Sequence, residues 1–226
     1  MKITYLGQAG LLIETNGKTI IIDPYLSDSV AKIQPKNTRR IPIDERFLKI
    51  KPDIIVVTHN HADHLDKETL CHYLTTESKT VTLAPYSAWQ ELRKFGGDNN
   101  NYICFNAGTS WTEETIRFRA VKAEHSDEYA IGVILSVSGK NYYITGDTLY
   151  SEKVFDSLPD IQIDAVFLPV NGVGNNMNFA DAKRFAKRIQ AKKVVPVHIG
   201  TFDDLRADEW DCANKVIPTL YQQINL

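Results

Sequence analysis

Apolar residues along this chain fall into short runs bounded by Gly, Pro, Asn and Asp, a spacing that favours strands over long helices. Ile3 to Leu6, Leu11 to Thr15 and Lys18 to Ile22 read as three strands, with Asn16-Gly17 as the tight turn between the second and third. Gly7-Gln8-Ala9-Gly10 is a small-residue corner between the first two. Asp23-Pro24 ends the third strand, because proline has no N–H for the ladder and restricts the residue before it. The polar stretch from Tyr25 to Pro42 is long for a compact fold, which marks it as functional or mobile. Ile54 to Val57 is the central strand, and a helix-like segment runs from Asp66 to Thr75.

Thr80 to Ala84 is a strand, and Pro85 opens a helix over Tyr86 to Phe95 that Gly96-Gly97 ends. Strands are predicted over Tyr102 to Phe105, Ser110 to Trp111 and Thr115 to Val121, the last alternating at Ile116, Phe118 and Ala120. Ala130 to Val137 and Tyr142 to Thr145 form a hairpin. A short helix over Ser151 to Ser157, a buried strand over Ala165 to Leu168, and a helix over Phe179 to Ile189 capped by Asn178 come next. Lys193 to Val197 is the last strand. A final helix is expected from Ala207 to about Tyr221, with Trp210, Ala213, Val216 and Ile217 inward. Hairpins followed by strand–helix alternation thus occur twice. That order predicts an α+β fold of two sheets packed face to face with helices outside, and nothing divides residues 1–226 into more than one domain.

Composition narrows the partners. The hydrophobic share is 43% and the charged share 24%, ordinary for a globular protein. A net charge of −2 and a pI near 6.3 give no basic field for nucleic acid or an anionic membrane. No apolar stretch reaches the ~18 residues that span a bilayer, and the first residues read as a strand instead of a signal peptide. Cys71, Cys104 and Cys212 are odd in number and form no CxxC pair, so they are expected as free buried thiols in a reducing compartment, the cytoplasm.

The chemistry concentrates after the central strand, in Thr58-His59-Asn60-His61-Ala62-Asp63-His64. Imidazole nitrogen and carboxylate oxygen bind borderline to hard divalent metals, and a strand end holds a loop still enough to aim them. His59 and His61 project to one side of an extended backbone, whereas Asp63 and His64 are adjacent and point differently. One loop can therefore supply two metal positions. The bland alternative, a polar turn that happens to be rich in histidine, sits poorly with a total of six histidines. His125, Asp147 and His198 each follow another predicted strand and are further ligand candidates, which leaves His72 as the bystander.

In these residues the chain resembles the metallo-beta-lactamase superfamily: His59-x-His61-x-Asp63-His64, then His125, Asp147 and His198, in family order. The resemblance implies a four-layer αβ/βα sandwich with a metal site along one sheet edge. It also implies a first metal on His59, His61 and His125, a second on Asp63, His64 and His198, and Asp147 bridging them. Asp23 matches an early aspartate that supports the metal loop without being a ligand. Within the superfamily the chain looks most like the L-ascorbate-6-phosphate lactonase branch, on Leu6-Gly7-Gln8-Ala9-Gly10, Asp23-Pro24-Tyr25-Leu26-Ser27-Asp28-Ser29, His64-Leu65-Asp66 and Gly146-Asp147-Thr148.

The resulting expectation is a metal-dependent hydrolase that opens a phosphorylated sugar-derived lactone or related ester by attack of a metal-activated hydroxide. Asp63 and Asp147 are its catalytic carboxylates, and one or two divalent ions (Mn²⁺ or Zn²⁺, with Fe²⁺ also compatible) its cofactors. A phosphodiesterase or nuclease is the alternative. Gln8, Tyr25, Arg39, Asn171 and Asn178 are candidate substrate residues, Arg39 as a bidentate phosphate grip beside Lys32, Lys36 and Arg40. The expected partner is a small molecule, not a membrane or nucleic acid, and homo-oligomerisation is left open.

Overall fold

The computed structural model describes all 226 residues. Strands β1 (Lys2–Gly7), β2 (Gly10–Thr15) and β3 (Lys18–Ile22) form an antiparallel meander, and β4 (Ile54–Val56), β5 (Val81–Ala84) and β6 (Asn101–Cys104) extend it in parallel. The second sheet repeats the scheme. Strands β7 (Ser110–Glu113), β8 (Ile116–Lys122), β9 (Ile131–Val137) and β10 (Lys140–Ile144) are antiparallel, and β11 (Ala165–Pro169) and β12 (Lys193–Val197) join in parallel. The parallel strands are connected through helices, as parallel pairing requires.

Alternation within the strands builds three apolar layers. Ile20, Ile22, Ile54 and Val56 from the first sheet meet Phe118, Val133, Leu135 and Phe167 from the second, filling the space between the sheets. Their neighbours Ile21 and Ile55 face outward and are covered by α2 (Lys67–Tyr73) and α3 (Tyr86–Phe95) through Leu70, Tyr73, Ala88 and Leu92. Val166, Leu168 and Val194 are covered by α4 (Glu152–Asp156) and α5 (Phe179–Ile189) through Val154, Ala182, Phe185 and Ala186. The order helix, sheet, sheet, helix is the expected αβ/βα sandwich of an α+β fold, close to the architecture predicted from the sequence. No helix is long and apolar enough to cross a membrane.

Three expectations are corrected. The final helix does not form: residues Ala207–Glu209 make one 3₁₀ turn, and Ala213 and Ile217 are exposed, although Trp210 is buried. The open edges of both sheets compete for that backbone and win. Val194 at the edge strand β12 donates to Asn214 O and accepts from Val216 N, and further on Tyr221 N–H donates to Tyr5 O and Ile224 N–H to Ile3 O on the edge strand β1. The segment therefore laces two edges that would otherwise be unpaired, and Pro218 has no donor to continue a helix. The cysteines are free, but Cys71 and Cys104 are exposed and Cys212 only partly covered. Finally, the stretch from Tyr25 to Pro42 holds a short helix α1 (Ser29–Ile33) and a 3₁₀ turn (Pro35–Asn37), and Arg39 pins it by donating to Tyr25 O (2.7 Å) and Ile41 O (3.0 Å).

Candidate metal centre

The chemistry-bearing side chains all leave from the ends of strands. Asp23 follows β3, the His59–His64 loop follows β4, His125 follows β8, Asp147 follows β10 and His198 follows β12. β3 and β4 run parallel, as do β10, β11 and β12, so these ends gather on one edge of the sandwich. Three non-glycine residues here hold left-handed backbones: Gln8 (φ 51°), Asp23 (φ 44°) and His198 (φ 57°). That conformation is uncommon for residues with a side chain and collects where structure is built for function. Gly146 (φ 61°) sets the turn into Asp147, and a Cβ there would lie 2.7 Å from Ile131 O and 2.9 Å from Thr58 Cβ.

The seven sequence-proposed ligands fall into two groups. In each, one ligand atom per residue lies within 4.8 Å of the others: His59, His61, His125 and Asp147 in the first, Asp63, His64 and His198 in the second. Within the first group the ring centroids of the three imidazoles are 4.6 to 4.8 Å apart, and His125 Nε2 is 3.1 Å from His61 Nδ1. Asp147 reaches both groups, with Oδ1 3.2 Å from His64 Nε2 and Oδ2 3.2 Å from His198 Nε2 and 3.9 Å from both His59 Nε2 and His125 Nε2.

The outward nitrogens are fixed by partners. Asp23 is fully buried: its Oδ1 accepts from Thr58 N (2.8 Å), and its Oδ2 accepts from Thr58 Oγ1 (2.6 Å) and His64 Nδ1 (2.9 Å). Because the Thr58 hydroxyl donates to Asp23, its oxygen is left to accept from His59 Nδ1 at 3.1 Å. Nδ1 of His125 faces Asn175 O at 3.2 Å, and Nε2 of His61 faces Ser126 Oγ at 3.3 Å. Each of these four imidazoles thus turns its other nitrogen inward, which is how protein partners orient metal-binding histidine.

The inward atoms are the telling ones. His59 Nε2 is buried without a hydrogen-bond partner, and His64 Nε2 and Asp147 Oδ1, though 3.2 Å apart, are not aligned to bond one another, so both are unsatisfied as well. A buried orphaned polar atom costs about 1–3 kcal/mol, so three converging on one space are explained by a cation that satisfies them together. The donors fit divalent metal: nitrogen and carboxylate oxygen, with no thiolate.

Electrostatics divide the groups. Burial pushes the protons off His59, well below the usual histidine range, and lowers His125 as well. Burial acts the same way on His64 and His198, but there the carboxylates of Asp147 and Asp63 overcome it. They hold His64 well above the usual range and raise His198 to about 10. Burial would raise Asp63 and Asp147, and the neighbouring His64 and His198 hold both below the usual carboxylate range instead.

The proposed substrate residues scatter. Gln8 sits against the second group, its amide 2.7 Å from Asp63 Oδ2 and 2.8 Å from His198 Nε2. Asn171 and Asn178 line a cavity of about 360 Å³ with Val170, Phe179 and Leu205, and the Asn178 side chain also caps α5 by accepting from Asp181 N. Tyr25 is fully buried under Phe202, with the Arg39 guanidinium over its ring. Arg39 is tied to backbone carbonyls as described above, Lys32 pairs with Glu68, and Arg40 with Asp204.

Two supporting residues escaped the sequence reading. Asn176 donates Nδ2 to Asp147 Oδ2 (2.8 Å) and accepts from Thr148 N (3.0 Å). Asp127 accepts from Asn60 N (3.1 Å), Ser87 Oγ (2.5 Å) and Tyr129 N (2.9 Å), tying the loop of His59 and His61 to that of His125. A buried acid two residues beyond a ligand histidine was the available signal.

Known proteins resemble the chain along nearly its whole length. The model of the beta-lactamase superfamily domain matches residues 2–198. A UPF0173 metal-dependent hydrolase of Geobacillus thermodenitrificans is 32% identical over 218 residues, covering 92% of this chain and 89% of that one. Among solved structures, the metallo hydrolase Igni18 of Ignicoccus hospitalis superposes with a TM-score of 0.75 at 22% identity, covering 98% of this chain and 96% of its own. An isothiocyanate hydrolase from Delia radicum gut bacteria gives 0.78 at 19% identity, covering 100% and 99%.

Proposed function

The chain belongs to the beta-lactamase superfamily, among its UPF0173 metal-dependent hydrolases, and from that premise we propose that it hydrolyses a small ester, with a lactone as the favoured substrate. The observation that carries the reading is the pair of ligand groups joined at Asp147, with orphaned buried atoms turned inward. His59, His61, His125 and Asp147 would hold one divalent ion, and Asp63, His64, His198 and Asp147 the other. Bound there, the ions supply Lewis acidity and make water acidic enough to react near neutral pH.

The protein's own groups do the rest. Asp63 is the more open of the two acidic ligands, its side chain 16% exposed against 4% for Asp147. It is the carboxylate that an incoming substrate meets, and we assign it the proton that passes from attacking water to the leaving oxygen. In a lactone that oxygen stays tethered to the product, so one carboxylate suffices as the shuttle. The resemblance to the lactonase branch in Gly7-Gln8-Ala9-Gly10, His64-Leu65-Asp66 and Gly146-Asp147-Thr148 supports the lactone. Whether the lactone ring also carries a phosphate is read from the substrate panel below, with Arg39, which already donates to Tyr25 O and Ile41 O, as the candidate grip. Mn²⁺ is the favoured ion, because two carboxylates among imidazoles suit a harder cation than zinc prefers.

The test is turnover of a panel of neutral and phosphorylated lactones against an aryl phosphodiester and RNA, by protein loaded with Mn²⁺ or Zn²⁺. Asp63→Asn should lower kcat on the lactone far more than it raises KM. Efficient cleavage of the diester with every lactone ignored would replace the ester reading by the phosphodiesterase one.

A further inference from the structure

Gln8 stands in the first corner of the chain, far in sequence from every proposed metal ligand, yet it touches two of them. One terminal atom of its amide lies 2.7 Å from Asp63 Oδ2 and 2.8 Å from His198 Nε2, and those two atoms are 3.0 Å apart. Three polar atoms therefore form a small, nearly equilateral triangle. In an octahedral shell with metal–ligand bonds of about 2.1 Å, neighbouring ligands are about 3.0 Å apart, the length of these edges. Gln8 itself is 1% exposed.

The backbone holds Gln8 there independently of its side chain. Gln8 N–H donates to Thr201 Oγ1 (3.1 Å), and Gln8 O accepts from His198 N (2.6 Å) and from the Tyr5 hydroxyl (3.1 Å). The His198 backbone is thus bonded directly to the Gln8 backbone, and both residues are in the left-handed region. A corner this constrained, presenting a carboxamide to two ligand atoms, is not accounted for by packing.

The two ends of a carboxamide are isosteric, so the side chain can set either Nε2 or Oε1 at the corner by turning about its last bond. An N–H there suits the Asp63 carboxylate but aims its positive end at any cation held between Asp63 and His198. The carbonyl oxygen aims a lone pair at that cation instead. We propose that Gln8 is a further ligand of the second metal, supplying Oε1 beside Asp63, His64, His198 and Asp147. This assignment rests on the reading that the second group holds a metal. It gives that ion three oxygen and two nitrogen donors, against one oxygen and three nitrogens for the first, so the second position is the harder of the two and the one that discriminates for Mn²⁺ over Zn²⁺.

The test is Mn²⁺ binding to metal-free wild type, Gln8→Glu and Gln8→Leu, followed by calorimetry and by the electron paramagnetic resonance of free Mn²⁺. The second site is identified as the step that His198→Ala removes. A ligand role predicts that Gln8→Glu, which keeps an oxygen at the corner and adds charge, tightens that step about tenfold, and that Gln8→Leu weakens it about tenfold. A role as N–H donor to Asp63 predicts the opposite for Gln8→Glu, because two carboxylates would then face each other at 2.7 Å. Weakening by Gln8→Glu to the level of Gln8→Leu, or no change in either variant, overturns the proposal. Should Gln8→Leu fail to fold, Gln8→Glu decides alone, since tightening and weakening are opposite in sign. A wild type that takes up no metal removes the hydrolase reading and this one together, whereas a wild type that loads two ions with the Gln8→Glu result inverted removes only this one.

Discussion

The two halves of the metal centre share a loop and a bridging carboxylate, yet they wait for metal in different states. In the first half three imidazoles surround one edge of Asp147, and burial leaves His59 and His125 neutral, with lone pairs ready for a cation. In the second half Asp63 stands beside His64 and His198, and the carboxylates draw protons onto both rings. Without metal, those protons do the work of the missing positive charge. The difference comes first from Asp147, whose oxygens lie 3.2 Å from His64 and His198 but 3.9 Å from His59 and His125, and then from Asp63 in the loop. It teaches that the first position is preorganised for metal, while the second exchanges protons for it and is correspondingly sensitive to pH.

The largest effect belongs to the residue that both halves use. Asp147→Ala removes a donor from each group, and about a 100-fold loss of affinity is expected at both, read by elemental analysis and metal titration. Retention of one tightly bound ion would show that Asp147 serves only one half. Next come the variants that separate the halves. His125→Ala should weaken the first metal by about 10- to 100-fold and leave the second bound, and His198→Ala should do the reverse. Loss of both ions in either variant would break the division into two positions.

The pH dependence sharpens the comparison further. His198 is raised from 6.5 to about 10 in the folded, metal-free chain, so its proton favours the folded state. That contribution is fully present below pH 6.5 and is lost as pH rises through 10. The metal-free protein should therefore melt lower at pH 10 than at pH 7, by roughly 5 °C, in a scan by circular dichroism. Over the same window the second metal should bind more tightly as the competing protons leave, while the first, whose His59 and His125 are already neutral, should change little. Equal pH slopes for the two binding steps would contradict the assignment of protons to the second half alone.

Most of this centre was legible before any coordinates, for a physical reason. Metal ligands must be His or carboxylate, and in a sheet protein they sit where buried strands emerge, so Val57, Ile144 and Val197 pointed to the residues that follow them. The four-layer sandwich was legible from alternation, because each strand must bury one face against a sheet and the other against a helix. What escaped was non-local. The C-terminal segment carries a plausible helical stripe, but it pairs with β1 and β12, edges whose openness no local pattern reveals. That Arg39 donates to the backbone carbonyls of Tyr25 and Ile41 was equally invisible in side-chain chemistry. The contacts of Gln8 with His198 and Asp63 were out of reach because those residues are 190 and 55 positions away.

The smallest expected effect sets the baseline for all the others. His72 is the one histidine outside both groups; it lies exposed in the last turn of α2, on the helix that leads away from the metal loop. Leu70 and Tyr73 of the same helix are buried, whereas His72 is exposed and belongs to no apolar cluster. Alanine is also the best helix former, so His72→Ala should change stability by no more than about 0.5 kcal/mol. Metal stoichiometry, both affinities and turnover should match wild type. The comparison between the halves depends on this result, because it shows that losing an imidazole matters only where the ring turns a nitrogen inward. If His72→Ala cost an ion while His125→Ala or His198→Ala did not, the membership of both groups would have to be redrawn.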